Sequence, residues 1–404
     1  MNGPMHGIRI VDMTAMVSGP SAAMLLADQG ADVIKVENPN GGDHTRASSN
    51  RQGGFSANFL NNNRNKRSIA LDLKDPRGLD ALKRISAGAD VFLQNFRPGV
   101  AERMGIGEDA IRAVAPGIVY VSISGFGEDG PYAKKPVYDP LIQALSGLAT
   151  VQAGSDAERP RLVRTILPDK LTGLVAAQAV SAALLARERT GEGQHIRLSM
   201  LDAIVAFLWG SDMGSQTFVD APLPQQEAAS FIDLIYETAD GHISVAVQSD
   251  REWAALCRAL ERPDLVEDPR FRTPALRQDN IDARLTLTQE ALLARPAAEW
   301  LARLEAEDVP CAPVLTRTEM IGHPQIRANG IVVESDHPAA GRLRQTRPAA
   351  RFSKTPTSIR LGGPALGEHS AEILAEAGLT EDEIATLLAA GVAADGGAAR
   401  DAAE

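Results

Sequence analysis

The fold is decided by residues 8–37, which read IRIVDMTAMVSGPSAAMLLADQGADVIKVE. Ile8 to Met13 is a short apolar run rich in β-branched residues, and it predicts a strand. Ser21 to Asp28 predicts a helix, and Ala31 to Glu37 predicts a second strand. This is a βαβ unit of about 30 residues, the building block of a doubly wound parallel sheet. The intervening loop lacks the G-x-G-x-x-G spacing, so the sequence does not support a standard dinucleotide site.

The same alternation of strands and helices continues to about residue 207. Residues 38–63 are polar and rich in Gly and Asn, which predicts a long surface loop, and RNKR at 64–67 adds a basic cluster. Further strands are predicted at 68–73, 89–94, 119–124 and 195–199, and further helices at 77–87, 143–149, 171–186 and 200–207. The chain therefore begins with a large α/β domain.

The composition changes near Phe218, and residues 220–228 contain two prolines that predict a linker. Beyond it, residues 231–236 and 241–247 predict a hairpin, and residues 309–314 end this second region. Helices are predicted at 251–260, 281–294 and 297–307. We therefore expect a smaller α+β domain. The tail returns to strands after Ile331 and closes with a helix at 381–390, for which Thr380 is the expected N-cap.

Composition narrows the class of protein. The net charge of −11 and pI near 5.3 argue against a nucleic-acid partner. Cys257 and Cys311 are expected to be reduced thiols, and the scattered histidines favour no metal site. The N-terminus shows no signal-peptide pattern, so we expect a cytoplasmic protein.

One carboxylate stands out within RLVRTILPDKLTGLVAAQAVSAALLARERTGEGQ, residues 161–194. The apolar run at 171–186 predicts a buried helix, judged too short and too interrupted by polar residues to span a bilayer. Asp169 then lies at the helix start, where free N–H groups and the helix dipole are expected to keep it ionised. An Asp at this place is most simply an N-cap, and the alternative is a poised nucleophile.

Several segments, in order, resemble the class III CoA-transferases, which include formyl-CoA transferase and carnitine-type CoA-transferases. They span residues 7 to about 370. They are GIRIVDMT followed by GP, ADVIKVE, the GD and TR pairs of 42–46, NRNKRSIALDLK, ADVFLQNFRPG, GFGEDGP, YDPLIQALSGL, the Asp169 segment, ERTGEGQ and LGEHS.

The resemblance implies an α/β fold and an interlocked homodimer of two ring-like subunits. The large Rossmann-like, CoA-binding domain would be formed by both chain ends, residues 1–200 and 330–404. The smaller α+β domain would occupy 225–320, with linkers at 201–224 and 321–335. Neither a membrane nor a nucleic acid is an expected partner.

The resemblance also implies a chemistry. Asp169 matches the family's nucleophile, whose carboxylate attacks an acyl-CoA donor to give a mixed anhydride and then an aspartyl-CoA thioester. A small carboxylic acid would accept the CoA, so CoA is a substrate and no prosthetic group is expected. Lys74 and Arg103 match positions that hold CoA phosphates. The other expected CoA contacts are Leu71, Asp72, Leu73, Asn95, Phe96, Arg97, Tyr138 and Asp139. For Arg64, Lys66 and Arg67, a ligand contact and a solvated turn stay equally open.

Two alternatives accompany this hypothesis. The related α-methylacyl-CoA racemases carry a histidine where this chain has Tyr138, and a tyrosine with a pKa near ~10 is a poor base at neutral pH. An acyl-CoA racemase or isomerase is therefore disfavoured, and a non-catalytic CoA-binding protein is less favoured still. Formyl or oxalate specificity is doubtful, because Ala15 to Val17 lack the glutamine of some members. Ala246 to Trp253 also lack the glycine-rich lid of formyl-CoA transferase.

Overall fold

The computed structural model describes residues 3–220 and 234–396. Almost all of the predicted linker at 220–228, the first part of the predicted strand at 231–236 and residues 397–404 lie outside the described residues. The chain divides into two compact units. The first comprises Met1–Ala153, Arg159–Gly214 and Gly330–Glu404, and the second comprises Gly154–Glu158 and Ser215–Asn329.

Strands and helices are numbered in chain order. The strands are β1 Arg9–Asp12, β2 Asp32–Glu37, β3 Arg51–Gln52, β4 Phe55–Ser56, β5 Lys66–Leu71, β6 Val91–Gln94, β7 Val119–Ser124, β8 His195–Ser199, β9 Ile235–Glu237, β10 His242–Val245, β11 Cys311–Pro313, β12 Val332–His337, β13 Gly341–Thr346 and β14 Ala393–Ala394. The helices are α1 Ser18–Asp28, α2 Ala57–Asn63, α3 Pro76–Ala87, α4 Val100–Arg103, α5 Glu108–Arg112, α6 Asp139–Leu145, α7 Leu148–Val151, α8 Leu167–Thr190, α9 Met200–Trp209, α10 Asp250–Ala259, α11 Pro274–Asp279, α12 Ile281–Leu292, α13 Ala297–Ala306, α14 Arg317–Gly322, α15 Pro324–Asn329, α16 Ser370–Glu376 and α17 Glu381–Ala389.

The first unit is a mixed α/β fold around a large parallel sheet. Within the described residues its seven strands follow the order β14-β5-β2-β1-β6-β7-β8. All pair in parallel except β14, which runs antiparallel to β5 and brings the end of the chain into the sheet. From β5 to β8 this is the order of doubly wound nucleotide-binding folds, in which the winding direction changes between β1 and β6. The crevice at the carboxyl ends of these two strands is the expected ligand site.

Both faces of the sheet are covered, because consecutive strand residues point to opposite sides. Ile10, Val33 and Val121 belong to one apolar layer, which α1 and α8 complete with small side chains such as Ala176. Val11, Ile34, Phe92 and Tyr120 belong to the other layer, together with residues of α3, α16 and α17. Burial on both sides explains why the strands read as nearly continuous apolar runs.

Helix α8 is longer than the sequence predicted, running over 24 residues from Leu167 to Thr190. By length and apolar composition alone it passes as a membrane span. The core helix of a globular protein passes the same test, and this helix packs on α1 and the sheet. The contact is close: a Cβ added at Gly173 would lie 2.1 Å from Ser21 Oγ and 2.9 Å from the carbonyl oxygen of Ser18.

The prediction of a surface loop at 38–63 was wrong in part. Residues 44–47 form a 3₁₀-helix, α2 follows at 57–63, and Thr45 and Phe59 are buried. The basic cluster after them is neither a solvated turn nor an exposed cation patch, since Arg64 and Lys66 are buried and ion-paired. The local composition did not predict this burial, because the acidic partners Asp28 and Asp12 are distant in the sequence.

Two other boundaries differ. The strand predicted at 68–73 lies two residues earlier, at 66–71. The helix predicted at 143–149 begins at Asp139 and is interrupted at Gly147, whose φ of 87° breaks it into α6 and α7. The Thr380 cap was predicted correctly, and it forms a capping box with Glu383.

A buried ionic network ties the first βα loop to the sheet. Lys66 Nζ donates to Asp12 Oδ2 (2.8 Å), the carbonyl of Pro20 (2.9 Å) and Asn63 Oδ1 (2.9 Å). Lys35 Nζ donates to Asp43 Oδ2 (2.9 Å) and to the carbonyl of Thr14 (2.8 Å). Both lysines are fully buried. The two ammonium groups thus hold both ends of the 14–20 segment by its carbonyl oxygens.

The second unit has its own core. β9 and β10 form the antiparallel hairpin predicted around the Asp240–Gly241 turn, and β11 adds a third strand beside β10. The helices α10, α12 and α13 pack around Trp253, Phe271 and Trp300, which are buried. It is thus a small α+β unit.

The ionic network yields a stability prediction. Asp12→Asn removes the charge that compensates Lys66, and breaking a buried pair on one side costs about 3–5 kcal/mol. We expect a loss of that order in the free energy of unfolding, measured by urea denaturation at fixed protein concentration. The matched control is Asp80→Asn, which breaks an exposed pair with Arg84 and is expected to cost less than about 1 kcal/mol. Equal losses in the two variants would contradict the role of the network.

Candidate active site

Asp169 is the third residue of α8, and Ile166 occupies the N-cap position. The N-cap alternative for Asp169 is therefore wrong. The backbone N–H of Asp169 points to a second carboxylate, Asp139 Oδ2, at 3.3 Å. An outside side chain thus satisfies one of the free N–H groups at this helix start, and the carboxylate of Asp169 is not used as the cap.

Asp139 is the first residue of α6 and only 4% exposed. Its Oδ1 accepts a 2.6 Å hydrogen bond from Gln143 Nε2, one helical turn along. Gln143 Oε1 in turn accepts from the backbone N–H of Val163 at 2.9 Å. Asp139 and Gln143 together clamp the segment that enters α8, and so they fix where Asp169 stands.

The electrostatic setting of Asp169 differs from the sequence expectation. Burial and then the negative charge of Asp139 raise the pKa of Asp169 to about 6, although the N–H and hydroxyl of Ser18 act in the opposite direction. The helix start alone does not hold the pKa of this carboxylate low. Asp169 is still mostly ionised at pH 7, but it is more basic than an ordinary aspartate.

Ser18 is the first residue of α1, so the N-termini of α1 and α8 converge on Asp169. Sequence reasoning missed Ser18, because nothing local links it to a residue 151 positions away; the close approach of the two helices at Gly173 is what places it there. Two helix N-termini favour negative charge at this point. They offset part of the burial penalty on the carboxylate.

The loop before α1 is held in an unusual conformation. Met16 has a φ of 74°, a left-handed conformation that is rare outside glycine. The N–H of Met16 donates to Asp43 Oδ1 at 3.2 Å. Asn95 Oδ1 accepts from the N–H of Ala15 at 3.0 Å, and Asn95 Nδ2 donates to its carbonyl at 2.8 Å. Both polar groups of the Asn95 side-chain amide are thus hydrogen-bonded to the backbone of this loop.

Most of the other residues expected to contact CoA follow the carboxyl ends of β5 and β6, Arg103 ends α4, and Tyr138 and Asp139 lie at the start of α6. Among the described residues, the exposed cations Lys74, Arg97 and Arg103 form no ion pair. The side chain of Leu71 is buried in the core, Leu73 is half-buried, and Asp72 accepts a hydrogen bond from the N–H of Lys74 at 3.0 Å. Tyr138, just before α6, is 69% exposed.

A cleft of about 500 Å³ opens beside this edge of the sheet. Phe96 and Arg97 line it, and Asp169 does not. Its floor and walls include Gln94, Ser122, His195 and Glu108, which form a hydrogen-bonded chain that the sequence analysis did not single out. Within the described ranges no cluster of three His, Cys, Asp or Glu residues could hold a metal ion.

Comparison with known proteins identifies the family of the chain. Residues 5–370 match the family model described as CoA-transferase family III. Succinyl-CoA:glutarate CoA-transferase of Mus musculus is 36% identical, over 96% of this chain and 90% of that protein. Formyl-CoA:oxalate CoA-transferase of an Escherichia coli O157:H7 strain is 32% identical, over 96% and 99%.

A solved structure, that of a CAIB/BAIF family protein from Brucella suis, superposes with a TM-score of 0.81 at 31% identity. The match covers 93% of this chain and 100% of that one. Taken with the family match over residues 5–370, this likeness shows that the chain belongs to CoA-transferase family III and is a CoA-transferase acting on CoA thioesters.

Proposed function

We propose that the enzyme moves CoA from an acyl-CoA donor to a carboxylic acid through covalent intermediates on Asp169. Supporting this, Asp169 is a carboxylate with a pKa near 6 that lies where two helix N-termini meet. Its backbone N–H is bonded to Asp139. The carboxylate faces Ser18 at the start of α1, whose N–H and hydroxyl stabilise its ionised form.

The proposed reaction balances without an added reagent. A carboxylate oxygen of Asp169 attacks the thioester carbonyl, the C–S bond breaks, and CoA leaves as the thiolate. The thiolate attacks the aspartyl carbonyl of the anhydride, which releases the donor's carboxylate and leaves an aspartyl-CoA thioester. The acceptor carboxylate then attacks that thioester, which gives a second anhydride and releases the CoA thiolate. The thiolate attacks the acyl carbonyl derived from the acceptor, which forms the new acyl-CoA and restores the Asp169 carboxylate.

The raised pKa of Asp169 resolves a difficulty in this mechanism. A carboxylate that is strongly stabilised attacks poorly, whereas one made more basic by burial and by Asp139 remains ionised at neutral pH and attacks better. The N–H groups at the start of α1 are suited to the oxyanions that form during attack. In this proposal, burial and Asp139 make the nucleophile more basic, and the N-terminus of α1 stabilises the transition state.

For CoA itself, we propose that Lys74, Arg97 and Arg103 meet the phosphates, since they are exposed cations without ion pairs among the described residues at the strand ends. Asn95 would act differently from the expectation in the sequence analysis. Because both its amide groups bond Ala15, we propose that Asn95 shapes the loop beside the ligand rather than contacting it with its side chain.

We also propose that two copies of the chain assemble. Large apolar side chains are exposed on neighbouring helices of the first unit, namely Leu141 and Leu145 on α6, Leu174 on α8, and Phe207 and Trp209 on α9. Apolar surface of this kind marks protein interaction sites. Because the family resemblance implies a homodimer, we propose that a second copy of the chain covers this surface.

The acceptor is, in our proposal, a short dicarboxylic acid. Three exposed cations flank Asp169 along the chain, Arg161, Arg164 and Lys170, and among the described residues none of them forms an ion pair. The second carboxylate of a dicarboxylic acid needs such a cation. The likeness to a succinyl-CoA:glutarate CoA-transferase points the same way.

The nucleophile is tested by substitution and trapping. Asp169→Ala is expected to abolish CoA transfer while leaving the fold intact, because no other group supplies the carboxylate that becomes acylated. Hydroxylamine added during turnover of wild-type enzyme is expected to convert Asp169 to its hydroxamate, detected by peptide mass spectrometry. Transfer at the wild-type rate in Asp169→Ala would refute the mechanism. Donor-only proton exchange at Cα in D₂O, with no transfer, would favour the racemase alternative.

The pH dependence follows from the raised pKa. Since the ionised carboxylate is the nucleophile, kcat/KM is expected to fall as pH drops through about 6, roughly tenfold for each further unit. Asp139→Asn removes a repelling charge, so the acidic limb of the profile is expected to move to lower pH. Asp382→Asn, on the exposed side of α17, is the control and should leave the profile in place. An unmoved limb in Asp139→Asn would show that Asp139 does not set the pKa.

The acceptor class is tested by comparing acids of equal length. With succinyl-CoA as donor, C4 and C5 dicarboxylates are expected to be better acceptors than the matching monocarboxylates. Arg164→Ala is expected to raise KM for the dicarboxylate about tenfold, roughly 1.4 kcal/mol, and to leave the monocarboxylate unchanged. Arg189→Ala, at the far end of α8, is the matched control. Equal use of both acid classes by wild-type enzyme would exclude this substrate class.

A further inference from the structure

A second group of reactive side chains lies away from Asp169, on the three strands β6, β7 and β8. Gln94 and Ser122 are register partners on β6 and β7, and Arg197 is the partner of Ser122 on β8. Partners in a sheet present their side chains on the same face. Glu108, at the start of α5, and His195, at the start of β8, complete the group.

The hydrogen bonds within this group have a single consistent direction. The N–H of Phe96 donates to Gln94 Oε1 at 2.8 Å, so the amide oxygen of Gln94 faces Phe96 and its amino group faces Ser122. Gln94 Nε2 donates to Ser122 Oγ at 2.9 Å. The remaining contact of Ser122 Oγ is His195 Nε2 at 2.8 Å, so the serine hydroxyl is free to donate its own proton there.

The histidine tautomer is fixed by its other partner. His195 Nδ1 lies 2.5 Å from Glu108 Oε2. Burial alone would raise the pKa of Glu108, but hydrogen bonds from Arg112 and His195 bring it below its usual value. An ionised carboxylate only accepts, so Nδ1 carries a proton, and in the neutral form of the ring Nε2 is then the acceptor for Ser122. This order, hydroxyl to imidazole to carboxylate, is that of a serine nucleophile activated by a general base.

The serine is also within reach of a ligand. Ser122 is 8% exposed and forms part of the wall of the 500 Å³ cleft, together with His195, Gln94 and Arg197. That volume suits a small organic molecule. The Gln94 amide and the Arg197 guanidinium lie on the strands either side of Ser122. The guanidinium is paired with Glu128, so an oxyanion would compete with that carboxylate for it.

We propose that Ser122, His195 and Glu108 form a second nucleophilic site, which hydrolyses small acyl esters independently of CoA transfer. Ser122 Oγ attacks the ester carbonyl and passes its proton to His195 Nε2. The C–O bond to the alcohol breaks, and the alcohol leaves with that proton. Water then adds to the acyl-serine with His195 as base, which releases the acid and restores the hydroxyl.

The charges on the cleft select the class of ester. Glu102, Asp109 and Glu128 line it beside Glu108. Of the two arginines there, Arg197 is already paired with Glu128 at 2.9 Å. This excess of carboxylates favours an uncharged or cationic ester over an anionic one.

The test uses the intact protein and a general reagent for activated serine hydroxyls. A fluorophosphonate probe is expected to label wild-type enzyme at Ser122, located by peptide mass spectrometry. Hydrolysis of p-nitrophenyl acetate is expected to fall on the order of 100-fold in Ser122→Ala and in His195→Gln. Asp169→Ala is expected to retain the hydrolysis, which separates this activity from CoA transfer.

The matched control is Ser181→Ala, on α8, whose hydroxyl donates to the carbonyl oxygen of Ala177 at 2.9 Å and which does not line the cleft. It is expected to hydrolyse the ester at the wild-type rate. The proposal is overturned by a wild-type enzyme that takes no label at Ser122, or by hydrolysis that survives in Ser122→Ala. If the substituted proteins do not fold, the labelled position in wild-type enzyme decides the question alone.

Discussion

The first βα loop depends on two buried lysines. Taking Lys35 and Lys66 out of water is expensive, and pairing them with Asp43 and Asp12 offsets that cost only because the remaining protons of each ammonium also find acceptors. Two of those acceptors are carbonyl oxygens, of Thr14 in the loop and of Pro20 in the first turn of α1. The pKa of Lys66 is lowered to about 8, chiefly by burial, which shows how much of the penalty persists. A loop bound this way is fixed in position although it contains no regular structure.

The fixed loop matters because it leads directly into α1. Ser18 begins α1 two residues after the strained residue Met16, and α1 packs on α8 so closely that Gly173 has no room for a side chain. The N-terminus of α1 is thereby brought against Asp169. Asp139 approaches from the other side and raises the pKa of that carboxylate. The pKa of Asp169 therefore reflects a balance between two helix termini, burial and one neighbouring charge.

The sequence predicted the elements that depend on local residue patterns, and it did not predict contacts between residues that are distant along the chain. The βαβ unit, the strand at 119–124 and the Thr380 cap follow from periodicity and capping chemistry, so they were predictable. Residues 38–67 were misassigned because polar composition indicates a surface only when the charges are unpaired, and Lys66 is paired with an aspartate 54 residues away. The direction of the Asp169 pKa was missed for the same reason, since Asp139 and the burial of the site are tertiary features. His195 and Glu108, 87 residues apart, carry no common motif.

The turn after β6 is where these features meet. Asn95 braces the loop that leads to Ser18, while its neighbour Gln94 is held by Ser122 and, through it, by His195 and Glu108. The N–H of Phe96 donates to Gln94 Oε1. The turn therefore cannot move at Asn95 without also disturbing the contacts of Gln94. It stands at the place where the winding of the sheet reverses, with β1 beside β6. A ligand bound against Phe96 and Arg97 would therefore rest on a surface held rigid from both halves of the fold, and such rigidity lowers the entropic cost of binding.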